Sequence, residues 1–348
     1  MKSLLSGTAA LIGGLVLATA PAQAQTSATL LPVRTDPAQG KIFLTLPTPG
    51  PDGIAGRYIY ATSLRTGLGS PDIRLDRGMQ GPSQLLVFRR YGKKVAVQFE
   101  NPRFRATGGS PAEQAAARDS FAITTLWMTD IASVEADGRL VIDIAPFLTR
   151  DVIGIGPNLA EGGAKGFKLI EALSTPDLNS VKAFPDNIEM EALQTFQSET
   201  PGIEVSGIAP DPRQFSLVVH HSLVRLPDGG YKPRRFDIRA GGFASQAVDF
   251  GQPLSENLVY QLANRFRLEK IDPAAARSRV KKPIIFYIDS AAPEPVRSAL
   301  LEGVGWWSQA FDAAGFIDGF QARILPRDID PLDVRYNLVT WSNRATRG

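Results

Sequence analysis

Leu85-Leu86-Val87-Phe88-Arg89-Arg90-Tyr91-Gly92-Lys93-Lys94-Val95-Ala96-Val97-Gln98-Phe99 is the stretch whose reading decides the fold. Two apolar runs rich in β-formers flank Tyr91-Gly92-Lys93-Lys94, where glycine supplies the positive φ that a tight reversal between antiparallel strands requires. The same pattern recurs where 132–135 and 140–144 flank Ala136-Asp137-Gly138-Arg139. Upstream, Lys41-Ile42-Phe43-Leu44-Thr45-Leu46 and Gly56-Arg57-Tyr58-Ile59-Tyr60 alternate with period two, as half-buried strands do. From 41 to about 250 the pattern predicts a β-rich antiparallel domain, with a short helix beginning in 111–117 and a glycine-rich connection over 154–166.

Composition agrees with this reading. The chain has 348 residues, 43% hydrophobic and 21% charged, enough apolar surface for a substantial core and, at roughly 150 residues per domain, about two domains. Its 32 glycines and 26 prolines favour turn-rich β structure without reaching a low-complexity composition. Lysine and arginine total 38 against 35 acidic residues, a balance that argues against a field strong enough to hold a nucleic acid. The absence of cysteine from the sequence excludes disulfides, thiolate zinc sites and a cysteine nucleophile.

At the start, Lys2 precedes a mainly apolar stretch centred on 8–20, then Pro21-Ala22-Gln23-Ala24, a small-x-small pattern. This reads as a signal peptide over 1–24 that is cleaved before Gln25, a retained N-terminal anchor being the alternative. The stretch is shorter than the roughly 20 apolar residues of a membrane helix, and no later segment is long and apolar enough to span a bilayer. The mature chain is therefore expected to be exported, periplasmic or extracellular, with no membrane span after signal removal.

Beyond the β-rich region 25–264, residues 265–282 carry seven basic side chains against Glu269 and Asp272 and read as a basic, solvated linker. Only Phe266 interrupts the charges, so the run lacks the interleaved aromatics of a nucleic-acid contact. Over 283–348 the period changes. Pro283-Ile284-Ile285-Phe286-Tyr287-Ile288 reads as a buried strand. Val296, Leu300, Val304, Trp307, Phe311 and Ala314 recur at helical spacing, and Gly315 stands where a helix stops. Segments 320–325 and 334–341 read as two more strands. The order strand, helix, strand, strand predicts a βαβ start with the helix on one face of the sheet.

Candidate chemistry is sparse. The only histidines of the sequence, His220 and His221, are neighbours in an apolar run and on a strand would point to opposite faces. They read as structural, ahead of a metal ligand or a general base. Ser216 and Ser222 lie near them, but the sequence has no Gly-x-Ser-x-Gly elbow, so a serine hydrolase ranks lowest. Gly154-Ile155-Gly156 begins like a dinucleotide loop but lacks the third glycine and the βαβ setting, and reads as a flexible turn. Asp328, Asp330 and Asp333 read as a solvated turn partly neutralised by Arg327 and Arg335, ahead of a calcium site. Trp306 and Trp307 raise carbohydrate stacking, but Trp307 lies on the apolar stripe and is assigned to core packing.

Three C-terminal segments resemble the opening of the catalytic domain in a family of exported bacterial zinc-dependent metalloproteases. They are Pro283 to Asp289, the run from Glu302-Gly303-Val304-Gly305-Trp306-Trp307 to Phe316, and Leu325-Pro326 with Asp330-Pro331-Leu332-Asp333-Val334-Arg335-Tyr336-Asn337. Phe184-Pro185-Asp186-Asn187-Ile188-Glu189, Leu226-Pro227-Asp228-Gly229-Gly230-Tyr231-Lys232-Pro233-Arg234 with Asp237, and Arg265 to Lys270 resemble that family's long N-terminal domain of unknown function. The resemblance implies an α+β chain: a β-rich antiparallel N-terminal domain followed by the first strand-helix-strand-strand portion of a metzincin-like α/β catalytic domain. In the intact family it implies zinc, peptide-bond hydrolysis and a peptide or protein substrate. The family's histidine-glutamate zinc helix would lie beyond Gly348, so no catalytic, cofactor-binding or metal residue is carried over, no zinc is expected on this chain, and it is expected to be an inactive, truncated member. The rival expectation is a non-enzymatic exported β-rich binding or scaffold module.

Overall fold

The computed structural model describes residues 29–70 and 72–345. The expected signal peptide over 1–24 lies outside them.

The chain opens with β1 (Val33–Asp36), β2 (Lys41–Leu46) and β3 (Ile54–Leu64), then β4 (Gln84–Tyr91) and β5 (Lys94–Glu100). These last two form the hairpin legible in the sequence, with Tyr91 opposite Lys94 and Gly92 at φ +60° in the turn. An excursion follows with β6 (Phe104–Arg105) and α1 (Pro111–Asp119), whose N-terminus is closed by a reciprocal capping box between Ser110 and Glu113. The chain returns through β7 (Thr124–Val134), β8 (Leu140–Asp143), α2 (Ala145–Leu148), α3 (Ile155–Glu161), β9 (Lys168–Leu169), β10 (Thr175–Ala183), β11 (Asn187–Gln197), α4 (Gly202–Ser206) and β12 (Gln214–Arg225).

Eleven of these strands form one antiparallel sheet in the order β1-β2-β8-β7-β5-β4-β3-β12-β11-β10, with β9 also on β11. Alternation makes one face apolar, and the sheet curls around it as a half-barrel. Ile42, Leu44, Leu86, Phe88, Val97, Ile142 and Met190 meet in the concavity, closed at one end by Phe147 and Leu148 of α2. The edge strands do not pair, but just beyond them the Leu30 amide donates to the Phe184 carbonyl at 2.8 Å. A second apolar cluster lies where β3, β11 and β12 run on: Leu64, Phe196, Phe215 and Leu217 pack under Ile155 and Leu159 of α3 and Val205 of α4.

The rest of the chain forms small sheets. β13 (Ala244–Asp249) pairs with β14 (Val259–Ala263) and, in parallel, with β6. β15 (Ser278–Arg279) is followed by β16 (Ile284–Ile288), α5 (Val296–Gly305), α6 (Trp307–Ala313), β17 (Phe316–Ile317), β18 (Phe320–Ile324) and β19 (Asn337–Val339). The strands β18-β16-β19 form a parallel sheet. Together they give a β-rich α+β architecture.

Five expectations are corrected. The connection 154–166 contains a helix, α3, because Asp151 accepts hydrogen bonds from the Gly154, Ile155 and Gly156 amides and so satisfies donors that a helix start leaves open. The basic stretch 265–282 is not a free connector: Lys270 bridges Val280, β15 pairs with β17, and Ser278 and Val280 are buried. The single helix expected over 296–314 breaks at Trp306, where the Gln309 amide donates back three residues to the Trp306 carbonyl at 3.2 Å. That tightened turn rotates the following register, so Trp307, expected in the core, is 62% exposed, while Phe311 still stacks on Phe320 at 5.4 Å. The turn around Asp333 is not solvated, since Asp333 is buried and gripped by Arg335 through both carboxylate oxygens.

Gly315 stops α6 as expected and shows why: at φ +85° it lies against the Ala276 carbonyl, which an added Cβ would meet at 2.3 Å. Gly92, in contrast, has open space around it. In equilibrium urea unfolding followed by circular dichroism, Phe88→Ala, which empties a fully buried site, is expected to cost about 3–5 kcal/mol. Gly92→Ala, which suffers only from its φ, should cost about 1–2 kcal/mol.

Candidate functional site

Strand alternation sends the two histidines in opposite directions, as the sequence predicted. On β12, residues 215, 217, 219, 221 and 223 face the apolar side of the sheet, and 216, 218, 220, 222 and 224 face outward. On β11, Glu191 lies opposite His220 and Glu189 opposite Ser222. Two carboxylates are thereby brought against one imidazole on the outer face.

The resulting cluster is buried and saturated. Glu189, Glu191 and His220 are each less than 9% exposed. His220 Nε2 bonds Glu189 Oε2, and its Nδ1 lies 3.3 Å from Glu191 Oε1. The other oxygen of Glu189 accepts from Ser222 Oγ at 2.5 Å and from Asn187 Nδ2. Glu191 Oε2 is paired with Arg65 Nε at 2.6 Å. Asn187 links this network to the C-terminal unit, donating to the Leu332 carbonyl at 2.8 Å and accepting from the Val334 amide at 3.2 Å. Beside it Lys182 pairs with Asp330 at 2.7 Å. The unit is held again at its far end, where Arg344 pairs with Asp76 at 2.7 Å, Arg77 donates to the Trp341 carbonyl, and the Ala345 amide donates to the Gly69 carbonyl.

Burial alone would lower the His220 pKa, but its hydrogen bonds to Glu189 and Glu191, and their charges, outweigh that effect and raise it to about 9. Burial tends to raise the Glu191 carboxyl, yet His220 and Arg65 hold it below the usual glutamate range. At neutral pH His220 is therefore an imidazolium donating from both nitrogens, with no lone pair for a metal or a substrate proton. Glu189 likewise has both oxygens engaged. The cluster does not fit zinc, and among the described residues no group of three or more histidine, cysteine, aspartate or glutamate side chains is placed to hold a metal ion.

His221 behaves in the opposite way. It is fully buried on the concave side, its Nδ1 lies 2.7 Å from Tyr60 Oη, and Tyr60 and Phe147 pack around the ring. Burial, with the positive charge of His220 behind it, lowers its pKa to about 3, so it stays neutral. Burial also pushes the Tyr60 hydroxyl above the usual tyrosine range.

The remaining sequence candidates do not join a site. Ser222 donates to Glu189 and Ser216 shares a hydrogen with Thr195 Oγ1 at 2.8 Å, so neither serine is bonded to a histidine. The α3 start at Gly154-Ile155-Gly156 is filled by the Asp151 carboxylate, which occupies the place a phosphate would take. Asp330 and Asp333 are engaged with Lys182 and Arg335. Sequence reading missed Asn187, Glu189 and Glu191 as a set. The signal was present as polar residues at every second position of Asn187-Ile188-Glu189-Met190-Glu191, a pattern that gains meaning only once β11 is placed beside β12.

Residues 78–271 match a family described as a domain of unknown function, DUF5117. The chain belongs to that family. No curated protein and no solved structure matches it. The DUF5117 span begins just before β4 and includes β11, β12 and the buried cluster, while β1 to β3 and the parallel sheet lie outside it. Among the described residues no helix is long and apolar enough to cross a membrane.

The two histidines give stability a defined pH dependence. A folded pKa raised to about 9 from 6.5 means that the His220 contribution is fully present below pH 6.5 and is lost as pH rises through 9. A folded pKa lowered to about 3 means that the unfolded chain takes up a proton at His221 that the fold refuses, so stability falls as pH drops below 6.5. Urea unfolding across pH 4 to 10 should therefore show His220→Gln flattening the alkaline limb and His221→Phe reducing the acid limb. The reverse assignment would show that the two rings had been given each other's roles.

Proposed function

We propose that this chain is the N-terminal region of an exported zinc-dependent metallopeptidase, in which the half-barrel, most of whose strands lie in the DUF5117 span, is a non-catalytic platform that fixes the first strands of the catalytic unit. The observation that carries this reading is the mounting of the parallel β18-β16-β19 sheet on the half-barrel. Asn187 grips the 332–334 turn, Lys182 pairs with Asp330, and Arg344 pairs with Asp76. A parallel sheet with α5 and α6 connecting β16 to β18 begins an α/β layer, in keeping with the metzincin-like resemblance of its residues. In the intact enzyme a bound zinc would supply the chemistry of peptide hydrolysis, and its ligands would lie outside the residues described here. The residues described here contribute position to that chemistry, and the neutralised Glu189-His220-Glu191 cluster takes no part in the proton transfers.

The second reading, an exported binding module without catalysis, is favoured by a large open groove elsewhere on the half-barrel.

Two measurements test the proposal. Expressed with its own N-terminus in a Gram-negative host, the chain should be recovered outside the cytoplasm with Gln25 as its first residue; cytoplasmic protein beginning at Met1 would remove the export arm. The purified chain spanning residues 25–348 should bind less than stoichiometric zinc by elemental analysis and leave fluorogenic peptides uncut. One zinc per chain together with peptide hydrolysis would overturn the platform role.

A further inference from the structure

The outer face of β3, β4 and β5 carries a groove of about 950 Å³ roofed by the 101–123 excursion. Its floor is polar because alternation there turns Arg57, Arg89, Tyr91, Gln98 and Glu100 outward while Leu86, Phe88 and Val97 face the core. Its roof contributes Arg105 of β6 and Arg118 of α1. Phe104 and Phe121 form an aromatic wall, stacked at 3.6 Å.

The charges are not balanced within the groove. Arg57 is held by Glu100 at 3.0 Å and lies 3.9 Å from Asp52, which uses both of those carboxylates. Arg89, Arg105 and Arg118 form no ion pair among the described residues, and the one further carboxylate of the lining is Asp119. Arg89 donates from Nη1 to the Asp52 carbonyl, but its Nε and that of Arg105 are shut off from water with no hydrogen-bond partner. Those buried Nε atoms face no solvent, and an oxyanion in the groove would be met by the other guanidinium N–H donors of these lining arginines. Guanidinium groups match carboxylates through paired N–H donors.

We infer that this groove binds an acidic peptide segment, its carboxylates meeting Arg89, Arg105 and Arg118 and its apolar side chains lying on the Phe104–Phe121 wall. Charge complementarity selects the anion. The carboxylates of Asp52, Glu100 and Asp119 along the same walls disfavour a densely charged polyanion, and the aromatic wall and open length suit an extended segment carrying both carboxylate and apolar side chains. The groove is lined by none of the residues of the Glu189-His220-Glu191 cluster and does not depend on the peptidase reading.

Fluorescence anisotropy with the full chain tests this. The probe is a labelled peptide alternating Glu with Phe and Leu, compared with the same peptide carrying Gln for Glu. The acidic peptide should bind, with affinity falling as salt is raised, and the amide peptide should bind about tenfold more weakly or worse. Arg105→Gln should weaken the acidic peptide by about tenfold while leaving the thermal unfolding midpoint within a few degrees. Exposed Arg118→Gln, which disturbs no packing, should weaken it in the same direction. Equal binding of the two peptides, or unchanged binding by both variants, would overturn the assignment. So would saturable binding of inorganic phosphate by a protein that ignores the acidic peptide.

Discussion

A buried imidazolium between two carboxylates survives only if all three groups arrive together. Each ion taken from water costs several kcal/mol, and a single survivor of a broken buried pair is left with that cost uncompensated. In this chain the requirement is met by strand register: Glu191 opposite His220 and Glu189 opposite Ser222, with Arg65 balancing the second carboxylate. Sliding β11 by one residue would put Met190 on the outer face and Glu189 and Glu191 into the apolar concavity. The cluster therefore stabilises one pairing of β11 with β12 chiefly by penalising the others. Since β12 also pairs with β3, the same register fixes the middle of the half-barrel.

That register also decides where the C-terminal unit docks. Asn187 is the first residue of β11 and contacts both Glu189 and the 332–334 turn, so the polar network passes from sheet to parallel unit through one side chain. The turn it meets is itself tied together, with Asp333 buried against Arg335. Exposed ion pairs such as Lys182–Asp330 add about 0–1 kcal/mol each. The specificity of docking thus comes from the buried amide contacts, and the outer ion pairs reinforce an orientation already set.

What the sequence made legible was whatever depends on near neighbours. The hairpins around Gly92 and Gly138 are written in alternation and turn chemistry, and Gly315 announced the end of a helix because its left-handed backbone is a local demand. The opposed directions of His220 and His221 followed from the two-residue period alone. Features set by distant partners were hidden. Asp151 reaches forward to start α3 in a stretch whose glycines argue against a helix. The tightened turn at Trp306 shifts a register that periodicity assumed continuous, which put Trp307 on the wrong side. Glu189 and Glu191 gain their meaning only from partners on other segments, His220 and Ser222 of β12 and Arg65. The curl of the sheet was equally unreadable, because it depends on the pairing of strands far apart in the sequence.

The outer face of the half-barrel holds its charged residues in two contrasting ways. Over β11 and β12 every carboxylate oxygen of the cluster has a partner, the ring nitrogens are both donors, and the charges of Glu189, Glu191, His220 and Arg65 cancel. Over β3, β4 and β5 the floor opens to a cavity, and guanidinium donors are left without acceptors. A saturated, covered network has nothing left to offer an incoming molecule, since any new contact must first break an existing one. An unsaturated groove gains with each acceptor it receives. The recognition proposed for this chain therefore falls to the arginine-lined groove, and the histidine cluster belongs to the architecture around it.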